Sequence, residues 1–212
     1  MLVTPEGGQE EEEQRQSGSL TGWARRAAPM CHIVGVGDAS MAADKASAGL
    51  SGELMLYNGH SSTAPVLLYE FDARLRIQEQ SIHVAEAYVS VYLAHLMDNR
   101  FVHREIRRKL QNGGLQSATI WSDRQNNKAD QYWRFCEVKA KYKDLYNIET
   151  ELKWEQRSRP VIQKFDQRAK LARSLPIGVL SQWNGETKSH AFTWDFLNAT
   201  FDKLKAPSWT VD

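Results

Sequence analysis

Four carboxylates stand where separate segments of this chain could bring them to one point: Asp38, Glu86, Asp123 and Asp166. The run 115–122 is β-prone and gives way at Asp123, after which a helix-like pattern begins, so this acid sits at a strand tip. Asp38 closes a second β-branched run, CHIVGVGDAS, that is interrupted by glycines at 35 and 37. Glu86 lies at the head of an apolar helix and Asp166 near the start of a later one. Oxygen donors of this kind suit a hard divalent cation, and four of them converging would make a cation site.

Two of the acids also have a plainer explanation. Asp38 could simply initiate a turn. Glu86, expected in the first helical turn, could answer the helix dipole. Glycine weakens a strand interior, however, and tends to occur where a ligand or another backbone comes close, so the glycine pair before Asp38 is compatible with a ligand site.

The elements that would position these acids follow from the hydrophobic pattern. Strands are expected over 31–40 and 52–57 and from residue 66 onward, where polar and apolar residues alternate from about Tyr69. With short turns between them they form an antiparallel meander. Residues 84–97 repeat Val84, Tyr88, Val91, Tyr92 and Leu96 at helical spacing. Residues 126–146 read as one long helix, 148–154 as a strand with one face buried, and 156–160 as a polar loop. Pro160 fits the first turn of a last helix packed through Val161, Phe165, Ala169 and Ala172.

One further helix, 100–110, sets Arg100, Arg104, Arg107, Arg108 and Lys109 against the single Glu105, a net of +4, with Val102, Ile106 and Leu110 as an anchoring stripe. It is either a solvated face or a grip on phosphates. Lys139, Lys141 and Lys143 end the long helix, where cations suit the dipole without any ligand.

Composition narrows the function classes. The chain has 212 residues, 42% of them hydrophobic, enough for one α/β domain with appendages. A net charge of +1, from 27 basic and 26 acidic residues, leaves the choice of a polyanionic partner to local clusters. Two distant cysteines, Cys31 and Cys136, argue against a disulfide framework or zinc module and for a reducing, intracellular compartment. No apolar run nears the roughly 18 residues of a membrane span, so no membrane partner is expected. Residues 1–29, with an acidic run at 10–13 and few residues that could pack, read as a disordered leader, the Arg25-Arg26 pair offering thin support for a targeting signal. Residues 176–212 read as a C-terminal extension whose aromatic-rich helix candidate, 190–204, would dock on the domain or on a protein partner.

In order, the elements are three antiparallel strands, helix, strand, helix, strand, helix. With IVGVGDAS, HVAEAYVSVYLAHL, ATIWSDRQ and FDQRAKLARSL carrying the acids, the chain resembles the ribonuclease H family over about residues 31–175. The resemblance implies a mixed five-stranded sheet, three antiparallel strands then two parallel, flanked by helices, in a domain of residues 30–175. It implies that Asp38, Glu86, Asp123 and Asp166 are catalytic and bind two Mg²⁺ or Mn²⁺ ions. The implied reaction is hydrolysis of the RNA strand of an RNA·DNA hybrid, leaving 5′-phosphate and 3′-hydroxyl ends. Ser40 and Gln125 match nucleic-acid-binding positions, Gln125 one that touches the minor groove, where 2′-hydroxyls mark RNA. Arg100, Arg104, Arg107, Arg108 and Lys109 would add phosphate contacts from a place other than the family's usual basic protrusion.

The chain departs from the family's pattern at several positions. Ala39 replaces a glycine, Ile82 and His83 stand where asparagines often precede the helix glutamate, and Phe165 replaces an alanine. Arg157 and Arg159 occupy the loop that in many members carries a proton-shuttling histidine. Two alternatives therefore accompany hybrid cleavage: a nuclease of the same superfamily acting on DNA, and a catalytically inactive module that binds nucleic acid or protein.

Overall fold

A computed structural model describes residues 30–58, 64–77, 80–109 and 114–183. The leader 1–29 and the helix candidate 190–204 lie outside the described residues, as do Leu110 and the Asn112-Gly113 pair. Strand β1 (Cys31–Met41) pairs antiparallel with β2 (Ser47–Asn58), and β2 with β3 (Val66–Arg76). Helices α1 (Ile82–Met97) and α2 (Arg100–Lys109) follow. Then β4 (Leu115–Ser122) returns to pair in parallel with β1. After α3 (Trp133–Tyr146), β5 (Thr150–Trp154) pairs in parallel with β4. Helix α4 (Pro160–Ala172) and β6 (Val179–Trp183) are the last of the described elements.

Among the described residues the sheet has six strands in the order β5-β4-β1-β2-β3-β6, one more than expected. The added strand comes from residues assigned to the extension: β6 pairs antiparallel with β3, and Gly178 N donates to Arg74 O at 2.8 Å. Five residues with a Ser and a Gln among them carry too little alternation to announce a strand; an open edge on β3 supplies the partner.

Two other expectations are corrected. The helix expected over 126–146 is split, because Tyr132 is extended (φ −97°, ψ 128°) between a 3-10 turn at Ala129–Gln131 and α3. Side-chain spacing survives such a break, so periodicity alone did not reveal it. Helix α1 begins two residues before 84, at Ile82, with the Ser81 hydroxyl accepting from His83 N at 3.2 Å as its N-cap. Glu86 therefore falls beyond the first turn, which contains no acid, and service to the helix dipole does not account for it.

The two faces of the sheet differ. Ile33, Leu50, Leu54, Leu68 and Phe71 join α1 and α3 in the main core, with Leu93 and Tyr142 fully or almost fully buried. On the opposite face Val34, Val36, Ile162 and Phe165 form a smaller apolar cluster, with Met55, Tyr57, Trp121 and Val161 packed against it. There α4 packs through Ile162, Phe165, Ala169 and Ala172 and is also tied by ion pairs: Lys164 Nζ to Glu53 at 2.6 Å, and Arg168 to Glu70 at 2.6 Å and Asp72 at 2.7 Å. A strand alternates its side chains between faces, so Asp38 continues the row Val34, Val36. Glu86 approaches from the helix on the other face.

Candidate metal centre

Asp38, Glu86 and Asp123 meet at the carboxyl ends of β1 and β4. Each offers an oxygen, and the three oxygens lie within 4.8 Å of one another. Parallel pairing sets Val36 of β1 beside Trp121 of β4, so Asp38, still within β1, comes beside Asp123 just past the end of β4, and the start of α1 overlies them. The outer limit of this separation is a few tenths of an ångström above the span of two opposite ligands around Mg²⁺, about 4.2 Å.

Burial makes the cluster costly. Asp38 is 2% exposed; its Oδ1 accepts from Ala39 N at 2.8 Å, while its buried Oδ2 has no partner. Loss of water raises its pKa from 3.8 to about 7, reinforced by the negative charges of Asp123, Glu86 and Asp166 and opposed by the Ala39 hydrogen bond. Ser51, paired with Asp38 across the antiparallel ladder, is also fully buried with an unpartnered hydroxyl. A buried carboxylate oxygen and a neighbouring hydroxyl without partners fit a place that an ion or its ligands would fill. All three converging donors are hard oxygens, a set that suits Mg²⁺ or Mn²⁺ better than zinc.

Glu86 has its own cation. Arg124 Nη1 donates to Glu86 Oε2 at 2.8 Å, and its Nη2 to His83 Nε2 at 3.0 Å, which requires the His83 tautomer with that nitrogen unprotonated. Burial raises the Glu86 pKa and Arg124 pulls it back. Arg124→Ala should therefore move the Glu86 titration further upward, measurable by carboxyl-carbon NMR; an unchanged or lower titration would contradict this pairing.

The loop after β4 is pinned through Ser122 and Asn127. Asn127 Nδ2 donates to Ser90 Oγ at 2.8 Å and Ser122 Oγ at 3.1 Å, and Ser122 Oγ also accepts from Arg124 N. Trp154 Nε1 donates to the Asp123 carbonyl at 3.0 Å, fixing the backbone that carries the acid.

Asp166, the fourth carboxylate, stands beside the trio and reaches it through a guanidinium. Arg157 Nε lies 3.4 Å from Asp123 Oδ2, and its Nη2 donates to Asp166 Oδ1 at 3.3 Å. Lys170 Nζ holds the other Asp166 oxygen at 2.6 Å. Ser40 follows Asp38 by two residues and is half-buried, and Gln125 is exposed just past Asp123.

The basic helix lies elsewhere. Lys109 acts electrostatically on Cys31, whose thiol burial pushes up, and Cys31 begins the strand that Asp38 nearly ends. Seven residue steps along the strand set them about 23 Å apart. Two of the helix's cations, both exposed, pair with buried Glu105: Arg108 at 2.7 Å and Arg104 at 3.7 Å. Arg100, Arg104, Arg107, Arg108 and Lys109 thus form a surface apart from the acids.

Sequence reasoning missed Ser51, Arg124 and the bridging role of Arg157. Ser51 becomes visible only through strand register. Arg124 was in view as the neighbour of Asp123, yet its partner is 38 residues away.

No protein-family model matches the chain, and no curated protein matches it significantly in sequence. Among the described residues no helix is long and apolar enough to cross a membrane.

Proposed function

We propose that this chain is a metal-dependent endonuclease of the ribonuclease H type that cleaves the RNA strand of RNA·DNA hybrids to 5′-phosphate and 3′-hydroxyl ends. The observation carrying this reading is the meeting of Asp38, Glu86 and Asp123, from three separate elements, around an unpartnered buried oxygen. Sheet order adds support: β1, β2 and β3 are antiparallel neighbours, and β4 and β5 extend β1 in parallel.

Asp38, Glu86 and Asp123 would hold Mg²⁺ or Mn²⁺, with Asp166 beside a second ion. Such ions, when bound, acidify an attacking water and neutralise a leaving 3′ oxygen. Asp38 must surrender its proton to serve as a ligand, so activity rises with pH through about 7. Gln125 faces solvent beside Asp123, where a 2′-hydroxyl could meet it. The basic helix, with Lys109 near the start of the strand that carries Asp38, would reach phosphates farther along the nucleic acid than the acids do.

A labelled hybrid tests this. Cleavage is expected in Mg²⁺ or Mn²⁺ and should disappear in Asp123→Asn; an intact hybrid in both metals would overturn it. Parallel duplex and branched DNA substrates separate a DNA nuclease from a hybrid nuclease.

One observation favours a non-catalytic module instead. Arg124, Arg157 and Lys170 already neutralise Glu86, Asp123 and Asp166 from within the chain. A retired site of that kind would bind no divalent ion through its carboxylates.

A further inference from the structure

The internal neutralisation of the site is uneven. Arg124 is an established partner of Glu86: its contact is short at 2.8 Å, its side chain is 27% exposed, and His83 holds its other nitrogen. Arg157 differs on each point. It is 68% exposed, and its two contacts, 3.4 Å and 3.3 Å, are long for charge-assisted bonds, which favour about 2.7–2.9 Å. Yet it is the group that spans Asp123 and Asp166, the strand-tip acid and the α4 acid.

We propose that Arg157 is an internal counter-cation that competes with a divalent ion for Asp123 and Asp166, and so sets the free ion concentration at which the site fills. This rests on the reading of the acids as a metal centre and adds its regulation. Asp38, 2% exposed with Oδ2 unpartnered, independently marks the same place as one that receives a cation.

Release of the Arg157 side chain costs little, because exposed ion pairs are weak. The turn that bears it keeps its shape by other bonds: Glu155 N donates to Ser122 O and Arg159 N to Gln156 O, each at 2.9 Å. Asp166 retains Lys170. A released guanidinium stays at the rim of the acids, and its planar fork matches a phosphate. An anionic ligand that draws Arg157 away therefore favours ion entry, and by reciprocity a bound ion favours the anionic ligand.

Calorimetric titration with Mn²⁺ alone, on the full chain, tests the competition. Arg157→Ala should tighten binding about five- to tenfold, as expected for removing two weak contacts from one cation. Arg157→Lys, which keeps the charge and loses the fork, should fall between, and Asp38→Asn should bind weakest. An Mn²⁺ affinity unchanged or lowered by Arg157→Ala overturns the competition, even where wild type cleaves hybrid and the nuclease reading stands. Tighter binding in Arg157→Ala with hybrid left intact by every variant supports the competition and removes the nuclease reading. Absence of carboxylate-dependent binding in both wild type and Arg157→Ala overturns both.

Discussion

Asp38→Asn should lower hybrid cleavage by about 10³-fold or more and, in metal-free buffer at pH 8, raise the melting temperature. The first effect follows from losing a carboxylate at the point where the acids converge; Lewis-acid stabilisation is worth several kcal/mol, and about 4 kcal/mol is 10³-fold. The second follows from burial. Folding moves the Asp38 pKa from 3.8 to about 7, so between those values the folded chain keeps a proton that the unfolded chain has lost. Stability contributed by this proton is full below about pH 4, declines as pH rises, and is gone above about 7. At 1.36 kcal/mol per unit the penalty at pH 8 is about 4 kcal/mol. Asparagine nearly matches the shape, can still accept from Ala39 N, and carries no charge to bury. Thermal melts across pH 4–8 should show the variant gaining on wild type as pH rises. A gain that is constant with pH, or a loss at pH 8, would show that Asp38 carries no such penalty. Saturating Mn²⁺ should stabilise wild type and leave the variant nearly unmoved, since only the former offers the ligand.

Gly49→Ala should destabilise the fold by about 3 kcal/mol or more and cut cleavage with it. A Cβ at this position of β2 would stand 2.1 Å from Ala169 O, 2.6 Å from Arg173 N and 3.0 Å from Ala172 C. All three are backbone atoms of α4 or its C-cap, so no rotamer change makes room, and overpacking of this kind costs about 1–3 kcal/mol, at times more. The helix cannot lift away freely either, because Lys164 and Arg168 tie it to β2 and β3, and Arg173 Nη1 donates to Met41 O at 3.1 Å. Displacement of α4 would carry Asp166 and its contact with Arg157 away from Asp123. The melting temperature should fall by about 6–12 °C. Gly35→Ala is the control: its Cβ would meet only side chains, at 3.3 Å or more, so its loss should be clearly smaller. Equal stability of the two variants would contradict the packing described.

The comparison of pattern with structure divides along physical lines. Residues 31–40, 66 onward and 115–122 declared themselves because β-branched and aromatic residues fill a pleated surface, and β1, β3 and β4 form there. Strand β2 extends five residues earlier than 52, through SAGLS, where small residues give little β signal and pairing with both neighbours decides the matter. The strand expected from 148 starts at Thr150, and its last residue, Trp154, is 47% exposed at the sheet edge, so the expected buried face extends over only part of it. Four acids were read as one group from their expected element boundaries, and three of them meet, although Asp38 lies within β1 rather than at its end and Glu86 beyond the first turn of α1. What the pattern could not express was which cation each acid already holds, since Arg124 and Arg157 find their partners through tertiary contact.

The most direct test is Mn²⁺ titration of the whole chain at pH 6.5 in buffers of different ionisation enthalpy. If Asp38, Glu86 and Asp123 form the cation site, wild type binds with release of a large fraction of a proton, because Asp38, with a pKa of about 7, is mostly protonated there, and both Asp38→Asn and Asp123→Asn lose the binding. Equal binding in wild type and both variants, or no binding in wild type and Arg157→Ala alike, would contradict it.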